Sequence, residues 1–189
     1  MTLSPFRPAP RPVDPRLVEA LRVTARRLER GAGFRWTHMG SCNCGHLAQT
    51  VTRLSAAEIH RRALERPGDW SQQTARATRH PQEIELCPSS GATLDSVIDS
   101  LLALGLERVD LRHLEYLSDR RVLRNLPVER RVLDTRRRDD VVLYLRTWAE
   151  MLEDDWMTTQ SVPSRLTERE ASPSAPRSPH RALTAHAGA

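Results

Sequence analysis

Through the middle of the chain, apolar residues return every three to four positions, and no convincing run of the two-residue alternation that marks a half-buried strand interrupts them. Asp14 followed by Pro15 reads as an N-cap and a first-turn proline, and Leu17, Leu21, Ala25 and Leu28 then line one helical face up to Gly31-Ala32-Gly33. A glycine-rich turn feeds a second helix that starts near Gly45. Ser55 and Glu58 form the pattern of a capping box, in which each side chain satisfies the other's backbone amide, and they open a third helix that ends near Arg66-Pro67-Gly68. A fourth runs from about 93 to 104 and stops at Gly105. Asp110 and Ser118 are placed to cap two short helices, the second ended by Pro127. The strongest pattern is the last, from 139 to 153, with Val141, Leu145, Trp148 and Leu152 along one stripe.

Six or seven helices with short connections predict an all-α fold: a single compact domain over residues 14–156. Two long irregular loops, 31–44 and 67–92, interrupt it. Residues 1–13, rich in Pro and Arg, and residues 157–189, rich in Ser, Thr, Pro and Ala, lack periodicity and read as disordered extensions. No apolar run has the length of a secretory signal or a membrane span, so the expectation is a soluble cytoplasmic protein without a membrane partner.

Charge changes this picture only locally. The formal net charge is +5, and all 29 basic residues are arginine. Most arginine pairs are scattered and sit near acidic residues, whereas a phosphate backbone needs a contiguous basic face. The expectation is therefore against a nucleic-acid partner, and a protein partner stays open. The local exception is "DTRRRDD" at 134–140. Its three arginines have the chemistry to hold a phosphate. The plainer reading has Asp139 and Asp140 start the last helix while the arginines stay solvated.

Candidate chemistry concentrates in "RWTHMGSCNCGHLAQT", residues 35–50. His38, Cys42, Cys44 and His46 follow the pattern H-x3-C-x-C-x-H. Cys87, in the other irregular loop, is the one remaining thiol. Three cysteines in a reducing compartment do not make a disulfide framework. Thiolates and neutral imidazoles are the ligands of tetrahedral zinc, so these five residues are the candidate metal ligands. Zinc closed by four of them would be structural, which predicts a binding or regulatory module. Gly40 and Gly45 are expected to supply unusual backbone dihedrals around the pair.

The alternative is a thiol-dependent enzyme or redox protein. Cys44 would lie at a helix N-terminus, where the dipole lowers a thiol pKa, with His38, His46, His60 or His113 as base and Cys42 or Cys87 as redox partner. A third reading makes the sulfurs small buried hydrophobes. The segment "HMGSCNCGHLAQ" resembles one found in small uncharacterised bacterial proteins. That resemblance covers about 14–155 and implies a bacterial cytosolic protein, without implying an activity. Glu58 and His60 stand two apart on a helix and face different ways, so Glu58 reads as a cap. His113 reads as a packing residue, and Trp36 and Trp70 as loop anchors.

Overall fold

The computed structural model describes residues 14–65, 68–76 and 94–160. The expected segments 1–13 and most of 157–189, and with them Cys87, lie outside the described residues. Eight α-helices stand in the described residues: α1 (Pro15–Glu29), α2 (Asn43–Thr52), α3 (Ala56–Leu64), α4 (Trp70–Arg76), α5 (Leu94–Leu102), α6 (Arg108–Tyr116), α7 (Arg120–Arg124) and α8 (Arg138–Gln160). A 3-10 turn, Val128–Arg130, joins the last two. No strand occurs among them, and the fold is all-α as expected.

The long pair α1 and α8 forms one wall. Leu17, Leu21, Ala25 and Leu28 of α1 and Val141, Leu145, Trp148 and Leu152 of α8 are all buried, which is the pair of stripes visible in the sequence. Each fully buried Leu or Val adds roughly 1.5–3 kcal/mol relative to exposure, so this seam carries much of the fold. Two ion pairs flank it, Arg22 to Glu153 at 2.5 Å and Arg146 to Glu29 at 2.7 Å. Both are partly solvent-exposed and contribute little beyond register.

Against that wall α2 is central, packing on α1, α3, α5 and α6. It is short, yet seven of its ten residues are buried. Polar bonds fix its register. Thr24 donates to the Thr50 hydroxyl at 2.8 Å, and Arg27 reaches Thr50 and Gln49 at 3.0 and 2.8 Å. No described helix is long and apolar enough to cross a membrane.

The elements depart from expectation in three places. Helix α4 lies inside the supposedly irregular 67–92 segment. It carries no apolar stripe; Asp69 opens it, accepting from the Gln72 amide at 2.8 Å, and Trp70 is sealed in the core. Helix α8 continues past 156 to Gln160, and Arg121 of α7 reaches Asp155 on it at 2.5 Å. The caps of α6 and α7 are Glu107 and Asp119 rather than Asp110 and Ser118. Asp110 instead accepts from the Glu107 amide at 2.7 Å, one turn into its helix. The predicted stops at Gly31 and Gly105 stand, with φ of +91° and +87°, where a side chain would be strained.

Candidate functional site

Residues 35–42 form a closed knot of turns in front of α2. The Arg35 amide donates to the Ser41 carbonyl at 3.1 Å, the His38 amide to Arg35 at 3.1 Å, and the Ser41 and Cys42 amides both to His38, at 2.7 and 2.9 Å. Gly40 and Gly45 make this possible by close approach rather than by dihedral. Neither has a positive φ, contrary to expectation. A Cβ on Gly40 would fall on the carbonyl of Ala56 at the start of α3. One on Gly45 would fall on the Met39 carbonyl and the Gly40 backbone. Backbone meets backbone at both points, with no flexible side chain able to give way.

The Met39 peptide unit is the centre of the knot. Its N–H donates to His60 Nδ1 at 3.2 Å, and its carbonyl accepts from Cys42 Sγ at 3.4 Å and from Trp70 Nε1 at 3.1 Å. Thus α2, α3 and α4 are tied to one loop residue. His60 Nδ1 must be the unprotonated nitrogen here, because it accepts. His38 stacks on that ring, centroids 3.8 Å apart and planes 22° apart. Burial first, then His60 and Arg35, push the His38 pKa down, which favours neutral imidazole.

Both described thiols are withdrawn from solvent. Cys42 occupies the N-cap of α2 but makes no side-chain capping bond. Cys44, fully buried, donates to the Leu111 carbonyl of α6 at 3.3 Å. Burial pushes the Cys42 thiol up to about 11 from an ordinary 9.0, and the Gly45 amide only partly offsets it. Desolvation is the largest influence on this sulfur and outweighs what the helix end offers. Cys44 is driven well above its ordinary value by burial, and then by Cys42, Glu115 and Asp69.

His46 points the other way. Its Nε2–H donates to the Gly33 carbonyl at 3.1 Å, and its ring stacks on Phe34 at 6.2 Å. Burial, then the Arg27 charge, lower its pKa to about 4, so it is neutral across the physiological range. Four predicted ligands therefore serve four neighbours: His38 the His60 ring, Cys42 the Met39 carbonyl, Cys44 α6, and His46 the turn after α1. Among the described residues no three His, Cys, Asp or Glu side chains gather where an ion would sit. The fifth expected ligand, Cys87, lies outside the described residues.

Two residues absent from the sequence reading do as much. Asn43, fully buried, donates through Nδ2 to the Leu114 carbonyl at 3.2 Å and the Glu115 carbonyl at 2.9 Å. Those are among the last four carbonyls of α6, which the helix itself leaves unpaired. Asn43 therefore caps α6 from α2. Glu115, 5% exposed, accepts the Ser71 amide at 3.0 Å at the start of α4. Burial first, then Asp69, raise its pKa to about 7, with the Ser71 and Trp70 amides opposing. An Asn beside a cysteine pair, and a Glu on the apolar side of a helix, were the signals available in the sequence.

The remaining expectations sort cleanly. Glu58 forms the predicted capping box with Ser55. His113 Nδ1 lies 2.9 Å from the Ser118 hydroxyl, a local contact. Trp70 is a core anchor, and Trp36 lies edge-on to Tyr116 at 6.4 Å. No protein-family model matches the chain, and no curated protein or solved structure is similar to it.

Proposed function

We propose that the chain is a non-catalytic binding module of the cytoplasm, in which residues 35–46 are the internal keystone and the surface does the binding. One observation carries this reading. Cys42 and Cys44 each spend their sulfur on a backbone carbonyl inside the fold, and His46 is anchored to a third through Nε2–H. A nucleophile needs a thiolate and an approach path, and burial opposes both here.

The zinc reading, with ligands drawn from His38, Cys42, Cys44, His46 and Cys87, is the second. It is favoured by the Nδ1 atoms of His38 and His46, which are buried without a hydrogen-bond partner. It requires the two sulfurs to leave the Met39 and Leu111 carbonyls.

Elemental analysis of the full-length protein, purified without chelator, separates the two. The keystone reading expects no stoichiometric metal and a melting temperature indifferent to chelator. Zinc at about one equivalent per chain, removed together with the fold, would replace it by a closed structural site.

A further inference from the structure

Two hollows on the surface are lined by arginine, and they differ in one respect. The first, of 210 Å³, lies between α1 and α8 and holds Arg22, Arg26 and Arg146. Each of these has its own carboxylate: Glu153 at 2.5 Å, Glu19 at 2.7 Å and Glu29 at 2.7 Å. That hollow is neutralised from within.

The second, of 430 Å³, lies between the turn Gly31–Phe34 and Arg136, Arg137, Arg138 and Asp139 at the start of α8. Here the guanidinium groups lack such partners. Among the described residues Arg136 and Arg137 form no ion pair, and Arg138 reaches Asp139 only at 4.0 Å. The nearby carboxylates of Asp134 and Asp140 are not among the residues that line the cleft. Asp140 holds Arg130 at 3.1 Å and the Asp134 amide at 3.0 Å, while Asp134 accepts the Arg136 amide at 2.9 Å. Three positive charges and one negative thus line the cleft, a surplus of two, at a helix end whose dipole adds to it.

The opposite wall suits an anion as well. A Cβ at Gly31 or Gly33 would meet nothing within 4 Å, so the backbone there is open to a ligand. The amides of Gly31 and Ala32 are used within the turn, to Leu28 and Arg27. Those of Gly33 and Phe34 donate to no acceptor among the described residues. The Gly33 carbonyl, which would repel an anion, is held by His46 Nε2 at 3.1 Å.

We propose that this cleft binds a small phosphate monoester, its dianionic head held by Arg136, Arg137 and Arg138 against the Gly31–Phe34 turn. The surplus of two matches a phosphate dianion, and guanidinium forks pair with phosphate oxygens two at a time. A water occupies about 30 Å³, so the cleft has room for the group the phosphate is attached to. None of the cysteines takes part in the cleft, which meets the keystone at the His46 bond to the Gly33 carbonyl.

The test is an NMR titration of the full-length protein, at fixed ionic strength, with inorganic phosphate and with a nucleoside monophosphate. Saturable shifts are expected at the Gly33 and Phe34 amides and the Arg136–Arg138 Nε–H groups. The Arg136→Gln/Arg137→Gln chain, with unchanged circular dichroism because both residues are exposed, should bind at least about tenfold more weakly. Arg22→Gln, in the neutralised hollow, should bind as the parent does. Tighter binding of the ester than of phosphate shows that the attached group is also held, and equal binding shows that the head alone is read; both support the proposal. Shifts that fail to saturate, that chloride reproduces, or that survive the double substitution would overturn it. So would a single-stranded oligonucleotide that binds far more tightly than the monoester with a steep salt dependence, which would assign the face to nucleic acid.

Discussion

Residues 35–46 and 134–140 are chemical opposites in sequence and exchange roles in the structure. The first stretch concentrates thiols and imidazoles, and the fold turns them inward onto carbonyls of Met39, Leu111 and Gly33. The second is a plain run of arginine and aspartate, and it keeps Arg136 and Arg137 exposed without carboxylate partners among the described residues. Reactivity belongs to the environment of a group as much as to its type. A thiol sealed in an apolar core is a small hydrophobe, whereas a guanidinium at an open helix end keeps its whole charge available.

The sharpest way to break the comparison is at the glycines. Gly45→Ala forces a Cβ into two backbone units and should cost about 3 kcal/mol or more, read by urea denaturation. Gly33→Ala, on the wall of the arginine cleft, adds a methyl to open space and should change stability by less than about 0.5 kcal/mol. Equal costs at the two positions would contradict the keystone assignment.

Next in size is a pH effect partly hidden by cancellation. His46 is neutral in the fold down to about 4, while the unfolded imidazole takes its proton near 6.5. Between those values the unfolded chain holds the extra proton, so stability rises with pH and is lost as pH falls toward 4. Glu115 keeps its proton in the fold up to about 7, against 4.5 unfolded. There the folded chain holds the extra proton, and stability falls as pH rises. The two slopes oppose between 4.5 and 6.5, so the parent's dependence there should be shallower than His46 and His38 alone would give. Glu115→Gln, whose amide oxygen can still accept from Ser71, should unmask a rise of roughly 3 kcal/mol across that window, measured by denaturation at several pH values.

Asn43→Ala should cost about 2 kcal/mol, because two buried carbonyls at the end of α6 lose their donor. Faster amide exchange at Leu117 and Ser118 would locate the damage. The smallest effect is at the surface: Arg136→Gln or Arg137→Gln should shift stability by less than about 0.5 kcal/mol.

The helices were largely legible because their stripes are long. Leu17 to Leu28 and Val141 to Leu152 announce both period and buried face, and Asp14-Pro15 and Ser55-x-x-Glu58 mark the starts. Helix α4 was not legible, since its seven residues hold one large apolar side chain, Trp70, and carry no period; Asp69 was its sole signal. The candidate site was legible as a place and not as a geometry. Spacing shows that Cys42 and Cys44 flank a turn, but not that Leu111, 67 residues beyond Cys44, offers its carbonyl to the sulfur. The roles of Gly40 and Gly45 were misread for the same reason, because their neighbours Ala56 and Met39 become neighbours only through the fold.

The central claim is that Cys42 and Cys44 are sealed parts of a keystone, and the rate of thiol alkylation in the Cys87→Ser chain tests it most directly. The account predicts that both react only as fast as the protein unfolds, with a rate that rises with denaturant and is indifferent to reagent concentration once the reagent is in excess. Rapid, reagent-dependent alkylation of either thiol near neutral pH, with helical circular dichroism preserved, would contradict it.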